Sequence, residues 1–284
     1  MTPSVANGRV VDLRVEPIDE VLDRVARTLQ VRLDTDTVVR KRRSVGARTS
    51  RETWVRVERR PLHKVLGQGW NGTECAETLT GIAKPYWRQS VSWRDSVDAA
   101  LWRADETTLL PGTPVSTSVL SADPRLPDAW WKELGTTLDS LGRQRTRIAT
   151  PDTEPITQSL VTETIRTAFP GRADAAVRQW LPAHADLNWA NVTGPCFCLF
   201  DWEDWGNAPR GLDAASLLAA SMAVPALAER VRRERHHDLE SRDGKVMKLF
   251  VFAKFAEPDA HPEDPRVEPA RQEAARLLTE LQTT

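Results

Sequence analysis

The stretch His184-Ala-Asp-Leu-Asn-Trp-Ala-Asn191, followed across a short apolar run by Asp201-Trp-Glu-Asp204, places a carboxylate, a carboxamide and a second carboxylate in series. Between Pro182 and Asn191 no helical or strand period is sustained, so Asp186 is expected in a loop delivered by a helix through Ala173 to Leu181. Asn191-Val-Thr, a Gly194-Pro195 turn and the returning Cys196-Phe-Cys-Leu-Phe200 read as a hairpin. A hairpin there carries Asp201 back towards Asn191. Loops held on a rigid scaffold commonly carry reactive groups.

Outward from this stretch, the chain reads as strands first and helices afterwards, an α+β pattern. Ile18, Val21, Leu22, Val25 and Leu29 recur at helical spacing behind Pro17. Thr37-Val-Val-Arg-Lys-Arg-Arg43 and Thr53-Trp-Val-Arg-Val-Glu-Arg59 read as two strands of a hairpin, with Ser44 to Glu52 as its turn. In the second strand Arg56 and Glu58 share one face, while Val55 and Val57 share the other. Gly67 to Gly72 punctuates the chain, and Asn71 is placed to cap a helix through Glu74, Glu77 and Ile82.

Two further strands are expected around Gln89 to Trp93 and Ala100 to Leu110, ending at Pro111-Gly-Thr-Pro114. That breaker divides residues 1–112 from 113–284. The second part shows helical periods at Ala129 to Leu141, Thr157 to Phe169, Asp213 onwards, Lys245 to Phe255 and Ala270 to Leu281. The segment between Glu257 and Pro269 is rich in Pro and acidic residues.

A chain of 284 residues with 40% hydrophobic and 28% charged residues is expected to bury a sizeable core in one large domain or two lobes. A formal net charge of -1 argues against general capture of nucleic acid or anionic membrane. Cys75, Cys196 and Cys198 lack the spacing of a four-ligand metal site, and Cys196 and Cys198 alternate as core thiols. The first residues lack a basic segment followed by an apolar core, so a cytoplasmic protein is expected. The apolar run Ala214 to Leu227 falls short of the roughly 20 residues that span a bilayer, so a buried helix bent or ended near Pro225 is expected.

One carboxamide oxygen and one carboxylate, Asn191 and Asp201, suit Mg²⁺, a hard cation that takes its remaining oxygens from water and nucleotide phosphates. Asp186 is then left to accept or orient the proton of an acceptor hydroxyl. Glu203 and Asp204 extend the acidic cluster and favour a cationic or polyhydroxyl acceptor, with Trp189 among the Trp residues bordering the motif. Taken together, the pattern is that of phosphoryl transfer from a metal-bound nucleotide.

The spacing His-x-Asp-x-x-x-x-Asn followed by Asp-Trp-Glu resembles the aminoglycoside phosphotransferase-like small-molecule kinases. The resemblance implies a bilobal protein kinase-like fold with a small antiparallel-sheet N-lobe and a mostly helical C-lobe. It further implies Asp186 as catalytic base, Asn191 and Asp201 as metal ligands, His184 as organiser of the loop and Asp213 as its brace. The family's usual motif is His-Gly-Asp-x-His; Ala185 and Asn188 stand here in place of the Gly and the second His. On the third strand Arg56 occupies the place of the family's phosphate-binding Lys, with Glu74 or Glu77 as the helix carboxylate. No recognisable Gly-rich loop is present, so backbone N–H groups near Ser44 to Thr49 are expected to cover the phosphates.

These observations lead to an expected ATP- and Mg²⁺-dependent phosphotransferase acting on a hydroxyl of a small molecule, an amino sugar or aminoglycoside-like compound, with adenine near Leu109 to Val115. The alternative is a catalytically impaired nucleotide- or metabolite-binding relative, motivated by the missing Lys and Gly-rich loop. A nucleic-acid binder using Arg40 to Arg43 is a third reading, resting on a single basic strand.

Overall fold

The computed structural model describes residues 11–65, 70–116, 119–145, 155–171, 173–256 and 263–282. Its described residues fall into two units, one comprising those up to 78 with 84–110, the other 79–83 with 111–282.

The first unit holds α1 (Asp19–Leu29), β1 (Val39–Arg40), β2 (Ser44–Arg48), β3 (Thr53–Pro61), α2 (Leu62–Val65), α3 (Gly72–Cys75), β4 (Trp87–Arg94) and β5 (Ala100–Thr108). The strands form one antiparallel sheet in the order β1-β2-β3-β5-β4. One face is apolar: Val45, Val55, Val57, Trp102 and Ala104 are buried in a core with Val25 and Leu29 of α1. The other face is charged, because Arg56 lies opposite Asp105 and Glu58 opposite Arg103 in the β3–β5 register. Strand periodicity therefore separates the two chemistries residue by residue.

Ser44 to Arg48 is a strand rather than the expected turn. Val45 and Ala47 alternate into the core at 2% and 1% exposure, with Gly46 between them opposite Arg56. A Cβ on Gly46 would lie 2.3 Å from the Trp54 ring, so the missing side chain makes room for the indole. The chain turns instead at Thr49 to Glu52, with Glu52 at φ 55. The expected helix through Ile82 is likewise shorter: α3 is one turn, continued by a 3-10 turn at Ala76–Thr78, and Gly81 at φ 70 turns the chain away. Residues 67–69 of the expected glycine punctuation lie outside the described residues.

The second unit contains β6 (Thr113–Pro114), α4 (Asp128–Leu141), α5 (Gln158–Ala168), β7 (Trp180–Ala183), β8 (Thr193–Gly194), β9 (Gly206–Pro209), α6 (Leu212–Ser221), α7 (Pro225–Glu234), α8 (His236–Leu239), α9 (Arg242–Ala256) and α10 (Val267–Gln282). α4 buries Trp130, Leu134, Leu138 and Leu141, the stripe its spacing predicts. α6 is buried on nearly every side and packs on α9. It stops before Pro225, which occupies the first turn of α7, where its missing N–H costs nothing. Gly211, at φ 88, lets the chain enter α6 against α9: its Cβ position lies 2.8 Å from the Gly244 Cα.

The segment before the motif is a strand, not a helix. β7 pairs antiparallel with β9, Ala183 opposite Gly206, and Pro182 is tolerated because this ribbon has only two strands. Cys198 is buried as expected, whereas Cys196 is exposed. Among the described residues no helix is long and apolar enough to cross a membrane.

Candidate active site

The motif loop begins where β7 ends, and its first two residues are fixed by one carboxylate. Asp213, in the first turn of α6, accepts the His184 N–H at 2.7 Å and the Ala185 N–H at 2.9 Å on its two oxygens. Ala185 needs that support, since it sits in the left-handed region at φ 68, which costs a residue with a Cβ about 1–2 kcal/mol. Asp243, at the start of α9, does the same upstream: its carboxylate accepts the N–H groups of Arg178 and Gln179 just before β7. No local spacing signals Asp243, whose partners lie 64 and 65 positions away.

His184 is fully buried and stands edge-on to Trp202 at 4.8 Å. Its Nε2 lies 3.0 Å from the Phe200 carbonyl oxygen, which can only accept, so Nε2 carries the proton. Burial lowers the His184 pKa against the pull of Asp213 and Asp201, leaving a neutral ring. Burial also raises the Asp213 carboxyl, opposed by His184 and the two N–H groups it binds.

Downstream, Val192 and Leu199 form an antiparallel bridge, and the Phe200 N–H donates to the Asn191 carbonyl at 3.0 Å. Asp201 follows directly, at φ 68. The expected return of the chain towards Asn191 is thus made by single bonds and a bridge around Gly194-Pro195 rather than by two full strands. A second left-handed residue without glycine's freedom marks the point where the chain turns out of the return segment.

Asp186 is exposed, and both of its carboxylate oxygens receive amide N–H groups. Asn188 Nδ2 lies 3.2 Å from Oδ1, and Asn191 Nδ2 lies 2.8 Å from Oδ2 and 2.9 Å from the Asp186 carbonyl. Two amides therefore fix the carboxylate plane. The Asn188 side-chain Oδ1 in turn accepts the Ala190 N–H at 2.8 Å, so this side chain is itself held by the loop it organises. The orienting part of Asn188 is not visible in the bare spacing.

With its nitrogen committed to Asp186, Asn191 has its carboxamide oxygen left for a cation. Among the described residues no cluster of three or more His, Cys, Asp or Glu side chains could hold a metal ion. The donor types on offer, the Asn191 carboxamide oxygen and the Asp201 carboxylate one residue beyond the Phe200–Asn191 backbone bond, are those a hard cation such as Mg²⁺ accepts.

Beside the loop lies a cavity of about 370 Å³ with Asp186, Asn188, Ser216, Lys254 and Arg266 among its lining residues. Leu187, Trp189 and Val251 supply apolar wall. Trp189 is 2% exposed, stacked on Trp130 at 5.7 Å, and its indole N–H donates to Ser221 Oγ, so it serves the core as well as the cavity. Glu203 and Asp204 do not line this cavity.

In the first unit the expected pairing of Arg56 with Glu74 is not formed. Glu74 lies 2.9 Å from Arg103 Nη2, and Arg103 also grips Asp105 through Nε and Nη2 at 2.7 and 2.6 Å. Arg56 Nη2 lies 3.5 Å from Glu58, and Glu77 pairs with Lys84 at 3.0 Å. The reason is register: Arg103 reaches Glu74 from β5, while β3 places Arg56 between Gly46 and Asp105.

No protein-family model and no curated protein matches the chain. Among solved structures it is similar to aminoglycoside phosphotransferase APH(4)-Ia, with a TM-score of 0.59 at 8% identity, covering 93% of this chain and 99% of the other. A thermostable mutant of that enzyme, in ternary complex with ADP and hygromycin B, gives 0.58 at 9% identity, covering 92% and 98%. The GDP complex of aminoglycoside 2'-phosphotransferase-IIIa gives 0.53 at 11% identity, covering 93% and 99%. The fold is that of these kinase-like proteins: a small antiparallel sheet and a mostly helical second part.

Proposed function

We propose that this chain is a phosphotransferase that moves the γ-phosphoryl group of ATP to a hydroxyl of a small molecule. One observation carries the reading: a carboxylate clamped by the side-chain amides of Asn188 and Asn191 lines a small-molecule-sized cavity. In this reading Asp186 accepts or orients the hydroxyl proton, and the fixed plane of its carboxylate aims the acceptor oxygen. Asn191 and Asp201 would hold Mg²⁺, which when bound neutralises charge on the transferring phosphates. His184 and Asp213 keep the loop in its strained shape, and Arg56 would contact nucleotide phosphate from the charged sheet face of the first unit. Nucleotide and hydroxyl acceptor are the partners this implies; neither nucleic acid nor membrane is among them.

The test is ADP release with Mg²⁺ over a panel of hydroxyl compounds, wild type against Asp186→Asn. Turnover that survives the substitution would overturn the mechanism. The engagement of Glu74 by Arg103 favours a second reading, a protein that binds nucleotide and turns it over poorly. Nucleotide binding by calorimetry, with no ADP released over the whole panel, would select that reading.

A further inference from the structure

The cavity beside Asp186 carries two cations where the acidic residues of the motif suggest only anionic walls. Its cations come from far along the chain: Lys254 from the last turn of α9 and Arg266 from just before α10. Arg266 is fixed by Asp264, with Nη2 2.6 Å from Oδ2 and Nε 2.9 Å from Oδ1, and its guanidinium lies 5.4 Å from the centroid of the Phe255 ring. Lys254 Nζ lies 5.0 Å from the same ring. The two cations thus share one aromatic support, the buried Phe255 ring. Burial, reinforced by the nearby Arg266 charge, holds the Lys254 pKa below its ordinary value, with Asp264 and Asp186 opposing. An added anion at this place relieves that unfavourable field, and an added cation worsens it.

We propose that the acceptor is a small hydroxyl compound bearing a carboxylate or phosphate group, which Lys254 and Arg266 hold while its hydroxyl meets Asp186. The proposal rests on the phosphotransferase reading and names its substrate class. The anchored group and the reacting hydroxyl lie in one cavity of about 370 Å³, which suits a compact molecule. Leu187 and Val251 meet its carbon skeleton, and Ser216 offers a further hydroxyl partner. In the reaction the acceptor oxygen bonds to the γ-phosphorus while the bond from that phosphorus to the β,γ-bridging oxygen breaks. The nucleoside diphosphate leaves with the electron pair, and the hydroxyl proton passes to the Asp186 carboxylate. A polycationic acceptor would set ammonium groups against Lys254 and Arg266, the reverse of complementarity.

Calorimetric titration and turnover assays on the whole chain test this with four probes: gluconate as a hydroxy acid, glycerol 3-phosphate as a phosphate-bearing alcohol, glycerol as a neutral control and glucosamine as a cationic one. Wild-type protein is expected to bind at least one of the two anions, and the tighter of them assigns the anchored group. Lys254→Glu should weaken that anion at least tenfold and leave the affinity for ATP within twofold; Lys254→Met, which keeps the stem, should do the same to a smaller degree. In turnover the loss should fall on the acceptor KM rather than on kcat. Failure of both anions to bind, equal or tighter binding of glucosamine, or a Lys254→Glu effect on ATP in place of the acceptor overturns the proposal. Anion binding that depends on Lys254 while no probe is phosphorylated supports the anion site and counts instead against the phosphotransferase reading.

Discussion

The motif loop of the second unit and the charged sheet face of the first use polar side chains in opposite ways. In the loop, side chains are spent on backbone: Asp213 on two N–H groups, Asn191 on a carbonyl as well as on Asp186, and Asn188 on the Ala190 N–H. On the sheet, charges are spent on one another or on the turn beside it, Arg103 on Asp105 and Glu74 and Arg60 on Glu58. Bonds to backbone fix a shape that a reaction can use without reorganising. Side-chain ion pairs balance charge but leave the partners interchangeable, so in the proposed reading a phosphate would compete with carboxylates already in place. Rigidity is thus concentrated in the loop and exchangeability in the sheet.

The strongest way to break this contrast is at Asp186. Asp186→Asn should lower kcat by about 10²–10⁴-fold while thermal stability stays close to wild type, because the side chain is exposed and the loop's backbone bonds do not depend on it; single-turnover kinetics and a melting curve measure the two. Asp213→Ala attacks the backbone side of the contrast. It strands two N–H groups beside a buried ring, and urea unfolding should show a loss of about 2–4 kcal/mol, with activity falling along with it.

His184 gives a pH-dependent version of the same test. Because burial lowers its folded pKa below the ordinary 6.5, its contribution is present above that value and is lost as pH falls through the folded pKa. The melting temperature of wild type should therefore fall more steeply below pH 6.5 than that of His184→Gln, which keeps a donor for the Phe200 carbonyl; parallel curves would remove His184 from the account. The sheet should respond more gently. Arg56→Ala is expected to raise the KM for ATP by about tenfold, near 1.4 kcal/mol, with kcat little changed, since its Glu58 partner is also served by Arg60. Smallest of all, Ala185→Gly should relieve the left-handed strain and, after the entropy cost of glycine, raise stability by about 0.5 kcal/mol in the same urea assay.

Where the sequence could be read, the information was local. The period of α4, the two faces of β3 and the spacing from Asp186 to Asn191 each depend on neighbours within a few residues, and each appears in the structure at those positions. The misreadings have a common cause, a local signal overruled by a distant partner. Gly46 looked like a turn residue because the indole that fills its space sits on the next strand. The segment before the loop looked helical because its pairing partner, β9, follows the motif. Glu74 meets Arg103 and not Arg56 because register across β3 and β5 decides which arginine reaches it. Lys254 and Arg266 carried no signal at all, since nothing near them in the chain resembles a site.

The contact between Gly211 and Gly244 sets a ruler for the whole loop. Two residues after Gly211 stands the carboxylate that grips His184 and Ala185, and one residue before Gly244 stands the one that grips Arg178 and Gln179. Both clamps are therefore referenced to the same point, where a Cβ on Gly244 would lie 1.8 Å from the Asp238 carbonyl oxygen. A single added methyl there would displace the two anchors together, so the position of Asp186 is set at a glycine contact remote from it in the chain.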